Sequence, residues 1–183
     1  EADLSEEHDE GHGAQRGGEY EKADKIFSAV PDGASCYASA QNFLALSKLM
    51  QGDTAGAEEI CKKQLAKNEN DVALLSTYAA VLTESGRSEE SRAAAERLAA
   101  LPAESADELY KIATVCCENK LYDEAYEKFC ILEEQVSYDL TLLYFKAVAA
   151  FRSGRVRESL QGFAKIIDIY PDAAVARYYF NEV

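Results

Sequence analysis

The sequence predicts an all-α chain built from a repeated pair of helices, and three observations carry that prediction. A turn marker recurs at a fixed interval, with Gly18, Gly52, Gly86, Lys120 and Gly154 standing 34 residues apart throughout. Small residues keep step with it: Ala23, Ala57, Ser91, Ala125 and Ser159 follow each marker by five, and Gly11, Ala45, Ala79, Ala113 and Ala147 precede it by seven. Between markers the apolar residues fall at helical spacing, and only three prolines and ten glycines in 183 residues interrupt them. A period of this length, kept without one insertion, is the mark of stacked supersecondary units.

The units read as about 4–37, 38–71, 72–105, 106–139 and 140–173, followed by a further or capping helix over 174–183. The first ten residues hold Glu1, Asp3, Glu6, Glu7, Asp9 and Glu10 with no Lys or Arg, and Gly11, Gly13, Gly17 and Gly18 follow. Each glycine weakens a helix by about 1 kcal/mol relative to alanine. Residues 1–17 are therefore expected to be an acidic, frayed or partly disordered segment ahead of a repeat domain over 18–183.

In unit one Tyr20, Ala23 and Phe27 lie on the second helix. In unit two Ala45 precedes the turn, Asp53 marks a helix start, and Ala57 and Cys61 follow. Asp71 precedes the helix that opens unit three near Val72, and Ser88 stands after its turn. Unit four starts at a capping box, Ser105 with Glu108. Its first helix places Leu109, Ile112, Ala113 and Cys116 at i, i+3, i+4 and i+7, and after Asp123 its second repeats the pattern with Ala125, Phe129 and Leu132. The marker there is Lys120, preceded by Asn119, the next best residue after glycine for the left-handed conformation that ends a helix. In unit five the first helix is apolar almost all round, Leu142 to Phe151 broken by Lys146, and Pro171 stops the second. The small residues have a mechanical reason: two helices joined by a short turn approach to about 8–10 Å only where the facing side chains are small. One hairpin cannot bury its apolar stripe alone, so consecutive units must stack.

Composition narrows the function. Hydrophobic residues form 48% of the chain and the formal charge is −14. That charge repels phosphate backbones and anionic lipid, so neither nucleic acid nor membrane is an expected partner. Cys36, Cys61, Cys116, Cys117 and Cys130 show no zinc spacing and no disulfide framework, and read as small buried thiols in a reducing, cytoplasmic setting. The chain starts with Glu, and its last ten residues read as a helix stopped partway, so a fragment of a longer polypeptide is expected. His8 and His12 are four apart but sit in the glycine-rich segment without the support a metal site needs. Glu58 with Glu59, Glu89 with Glu90, and Glu133 with Glu134 read as solvated surface charge. The expectation is no catalytic residue, no metal and no cofactor.

The residues in phase resemble the tetratricopeptide repeat family, whose 34-residue pattern has small residues at positions 8 and 20, Gly at 15, aromatics at 17 and 24, and Pro at 32. Gly18, Tyr20, Ala23 and Phe27 match it, as do Ala45, Gly52 and Ala57; Ala79, Gly86 and Ser91; Ala113, Tyr122, Ala125 and Phe129; and Ala147, Gly154, Ser159, Phe163 and Pro171. No unit has the family's early Trp. A pentatricopeptide array, which reads RNA, usually repeats at 35 and is basic, unlike this chain.

The resemblance implies a right-handed superhelical solenoid of about five antiparallel helix hairpins, acting as a noncatalytic interaction scaffold. It also implies that the first helix of each unit lines a concave groove through positions 2, 5, 9, 12 and 13. Carried over, these are Ser39, Asn42, Leu46, Leu49 and Met50 in unit two; Ala73, Ser76, Ala80, Thr83 and Glu84 in unit three; Asp107, Tyr110, Thr114, Cys117 and Glu118 in unit four; and Thr141, Tyr144, Val148, Phe151 and Arg152 in unit five, with Tyr178 continuing the row. Some members hold a ligand's C-terminal carboxylate with Lys, Arg and Asn. Here Asn42, Lys111 and Arg152 are too few and too scattered for that, so a neutral-to-basic or amphipathic peptide or protein segment is the expected ligand. The alternative is a structural or oligomerisation segment, its aromatic row buried in self-contact, with a homodimer as one form.

Overall fold

A computed structural model describes residues 18–136 and 139–182; the small residue Gly11, the His8 and His12 pair and the frayed segment expected over 1–17 lie outside them. Every regular element among the described residues is helical: α1 (18–28), α2 (Tyr37–Met50), α3 (Thr54–Leu65), α4 (Val72–Glu84), α5 (Ser88–Ala100), α6 (Ala106–Glu118), α7 (Tyr122–Gln135), α8 (Leu140–Arg152), α9 (Val156–Ile169) and α10 (Ala174–Glu182). The fold is the all-α helical-repeat type that the period predicts. No helix among the described residues is long and apolar enough to cross a membrane.

The turns explain the period. At Gly52 and Asp53, Gly86 and Arg87, Lys120 and Leu121, and Gly154 and Arg155, the marker N–H donates to the carbonyl three residues back and the next N–H to the carbonyl five back. This is the Schellman closure, and it needs a left-handed residue at the marker. The markers have φ of 80°, 72°, 62° and 78°, the third being Lys120 itself, while Asn119 stays at φ −94°. The expected help from Asn119 is thus not how the turn is made; a lysine carries the strain.

That geometry yields a test. A left-handed residue with a Cβ costs about 1–2 kcal/mol, partly offset by the freedom glycine loses on folding. Lys120→Gly is therefore expected to raise stability by about 1 kcal/mol, read as a higher urea midpoint with unchanged slope; a lowered midpoint would refute this account of the turn.

Helix starts follow their side chains. Asp53 accepts from the Gly56 N–H at 2.9 Å and Asp71 from the Leu74 N–H at 2.9 Å. Ser105 accepts from the Glu108 N–H at 3.2 Å, but Glu108 returns its bond to the Glu104 N–H, one residue before the cap. Asp123 lies inside the first turn of α7 rather than capping it, and its carboxylate takes the Arg155 guanidinium at 2.5 Å. Asp139, for which no role was expected, caps α8 through the Thr141 and Leu142 N–H groups.

The chain forms two compact units, one ending at Arg87 and the other beginning at Ser88, at the turn inside the third 34-residue unit. In the first, Ala45, Ala57, Cys61 and Val81 make a fully buried cluster that Leu49 and Tyr78 pack against. Arg87 reaches back to Glu58 at 2.7 Å, and Glu58 also takes Lys62 at 2.6 Å. In the second, Ala113, Ala125 and Phe129 are 0% exposed, with Phe145 stacked on Phe129 at 6.1 Å. Leu143, Ala147, Phe163, Ile166 and Ala176 form a further cluster between α8, α9 and α10.

Candidate peptide-binding face

The two units treat the expected inner-face residues differently. In the first, Asn42 is only 9% exposed, and its Oδ1 accepts from the Thr77 hydroxyl at 2.6 Å, so its polar head is held between α2 and α4. Leu46 is half-buried, and Leu49, half-buried as well, packs against the core cluster. Ser76 donates to the Val72 carbonyl at 2.7 Å and Thr83 to that of Ala79 at 3.0 Å, so both hydroxyl protons turn back to α4. Met50, 65% exposed, is the residue of this set that presents apolar surface to solvent.

The second unit gathers aromatic side chains. On α6, Tyr110 is half-buried with its ring edge on Phe129 at 6.5 Å, and Thr114 donates to the Tyr110 carbonyl at 2.9 Å. Burial, seconded by the Asp139 charge, holds the Tyr110 phenol above its ordinary range. Cys117 is half-buried and burial pushes its thiol up to about 11, which leaves it protonated and unreactive near neutral pH. On α8, Tyr144, Val148 and Phe151 are half-buried, all packed on the cluster around Phe163, and burial raises the Tyr144 phenol.

Tyr179 is the residue the sequence reading missed. Its ring stacks on Phe163 at 5.2 Å and meets Phe151 edge-on at 5.5 Å and Tyr144 at 6.4 Å. Tyr178, the residue expected to continue the row, is 61% exposed and touches Tyr179 edge-on at 5.5 Å. With three consecutive aromatics at 178–180, a one-residue difference in helix phase decides which faces α8; the aromatic run itself was the available signal. Beside Tyr144 an apolar cavity of about 310 Å³ opens among Leu140, Thr141, Ile166, Ala173 and Val175.

Charges frame this face. Arg152 is exposed, its guanidinium 5.7 Å over the Phe151 ring, while Lys111 is paired with Asp107. Glu118 ends α6 and reaches solvent, yet protein around it strips part of its hydration and holds its carboxyl above the ordinary glutamate range. Two carboxylates elsewhere hold ion pairs: Lys62 and Arg87 lower Glu58, and Glu133 takes both Lys146 and Lys165. Cys61 and Cys116 are wholly buried, their thiols pushed to about 12. Among the described residues no three His, Cys, Asp or Glu side chains converge on a point that suits a metal ion.

Residues 48–115 match the family model described as tetratricopeptide repeat. A tetratricopeptide repeat protein from Parabacteroides merdae ATCC 43184 superposes at TM-score 0.63 and 16% identity, covering 98% of this chain and 70% of that one. YrrB, described as a TPR protein with an unusual peptide-binding site, gives TM-score 0.62 and 19% identity over 88% of this chain and 83% of its own. MamA from Desulfovibrio magneticus RS-1 gives 0.60 and 15% over 78% and 81%. A search of curated proteins returned no match. Identities this low speak for the fold alone, and the sequence match speaks for residues 48–115: over that stretch the chain matches the tetratricopeptide repeat family, and as a whole it shares the fold of tetratricopeptide repeat proteins.

Proposed function

We propose that the chain is a noncatalytic protein-interaction scaffold that takes a short apolar or amphipathic peptide segment on the first-helix face of its second unit. The observation that carries this reading is the half-exposed row of Tyr144, Phe151 and Tyr179 beside the 310 Å³ apolar cavity. Aromatic surface of this kind supplies binding area at low entropic cost. YrrB's described peptide-binding site supports the same use of the fold. Five thiols free of disulfides fit a reducing compartment such as the cytoplasm.

The test is selection of peptides from a phage-displayed 12-residue library on the immobilised chain, then fluorescence anisotropy with the strongest one. Tyr144→Ala with Phe151→Ala is expected to weaken that peptide at least about tenfold, the ordinary effect of removing anchor residues. Unchanged affinity, or no peptide selected, would sink the reading.

A second reading, self-association, draws on α10, where Val175 is 56% exposed alongside Tyr178 and the exposed Phe180. Light scattering across a concentration series decides it: a dimer mass that Tyr178→Ala returns to monomer supports self-association, and a constant monomer mass removes it.

A further inference from the structure

We propose that the segment bound on the second unit carries a lysine or arginine beside its apolar anchor, and that Glu118 is the residue that selects it. This deepens the peptide-binding reading above and rests on it. Glu118 shares a face of α6 with Tyr110 and Thr114, at i+8 and i+4, and is the neighbour of Cys117, whose thiol feels both the Glu118 and the Arg152 charge. The carboxylate thus stands at the edge of the aromatic row.

Nothing among the described residues rewards an acid there. Glu118 is the last residue of α6, where the helix presents its negative end, and the last turn holds no basic residue. Some acids of this unit have cationic partners: Asp107 has Lys111, Asp123 has Arg155 at 2.5 Å, and Glu133 has Lys146 and Lys165. The Glu118 carboxyl has no ion pair or hydrogen bond among the described residues, and loss of hydration raises it above its usual range. A carboxylate that destabilises its own helix end, keeps access to solvent and lacks an internal counter-ion is matched to a cation arriving from outside. The net charge of −14 draws basic segments toward the chain in the same sense. Arg152 is the competitor, since a guanidinium on the same face attracts a ligand carboxylate instead; it lies back over Phe151, which gives it a partner that Glu118 lacks.

The experiment uses the full chain and the same 12-residue phage library, selected in parallel on wild type, Glu118→Gln and Arg152→Gln. Wild type is expected to enrich peptides with Lys or Arg adjacent to Leu, Phe or Tyr. Glu118→Gln should lower affinity for the strongest such peptide about tenfold, as expected for losing a charge-assisted contact in a partly desolvated site. Changing the peptide's Lys to Gln should cost wild type the same factor and cost Glu118→Gln little. Because Glu118→Gln removes the unfavourable charge at the helix end, its melting temperature should not fall, so weakened binding is not misfolding. Four results overturn the inference while leaving peptide binding intact: enriched peptides without basic residues; acidic peptides that depend on Arg152; basic peptides whose affinity ignores Glu118→Gln, as binding to the acidic residues 1–10 would; or a Lys-to-Gln change that costs both proteins alike. Selection of no peptide, or peptides indifferent to the Tyr144→Ala and Phe151→Ala pair, overturns the underlying reading instead.

Discussion

Phe129→Ala is expected to cost the protein about 4 kcal/mol of stability, the usual range for emptying a fully buried phenylalanine site. Phe129 is 0% exposed, stacked on Phe145 at 6.1 Å and met edge-on by Tyr110 at 6.5 Å. The ring fills the space that Ala113 and Ala125, both 0% exposed, leave by being small. Deleting it removes its transfer free energy, two aromatic pairings, and the contacts of a lining that α6 and α7 cannot collapse inward, because their spacing is set by their shared turn. Stability of a single domain is about 5–15 kcal/mol, so a loss of this size is a large part of the total. Urea unfolding followed by far-UV circular dichroism checks it. Phe27→Ala is the control, because Phe27 holds the same place in the 34-residue unit but is partly exposed, stacked at 5.4 Å on a Phe43 that is itself 52% exposed. It should cost about 1–2 kcal/mol, in proportion to the smaller area removed from water. Equal losses at the two positions would show that register, not burial, sets the cost.

That pair of phenylalanines also shows what a repeat makes legible. Period and phase follow from local chemistry: a left-handed residue closes each turn, small residues permit close approach, and Asp53, Asp71 and Ser105 start their helices, all within one unit's own sequence. Depth of burial does not follow, because it depends on which neighbours stack, and Phe27 and Phe129 look alike until those are known. The candidate face divides the same way. Tyr110, Tyr144 and Phe151, which the resemblance assigns to the groove, are half-buried on α6 and α8. Asn42 reads as a groove residue in sequence, yet its Oδ1 accepts from the Thr77 hydroxyl, 35 residues away. Tyr179 became visible only with the phase of α10, and the cavity at Leu140 and Val175 is made by three helices that no single-helix pattern contains. Glu118 was readable as a position, but its lack of a cation is a statement about all the groups around it.

Gly162 was passed over in sequence for a related reason, since it falls at neither of the small positions that the period marks. A Cβ placed on it meets the Ala147 Cβ at 2.8 Å and the Ala147 Cα at 3.4 Å. Both obstacles are rigid parts of α8, not the movable end of a side chain, so any larger residue must push α9 away from α8. Two effects compete in a substitution here. A helix-interior glycine costs about 1 kcal/mol relative to alanine, so adding a side chain gains helix propensity, less for a β-branched one. Against that, forcing extra carbons into a packed contact costs about 1–3 kcal/mol. For Gly162→Ala the two nearly cancel. For Gly162→Val the propensity gain shrinks while two more methyl groups enter the same gap, and a net loss of about 2 kcal/mol is expected. The damage should also reach the candidate face, because α8 carries Tyr144 and Phe151 while α9 carries the Phe163 on which Tyr179 stacks. Gly162→Val should therefore lower the urea midpoint and weaken the selected peptide together, whereas Phe27→Ala, in the other unit, should leave the peptide's affinity unchanged. If Gly162→Val proves as stable as wild type, the close contact between α8 and α9 is not what holds the aromatic row in place.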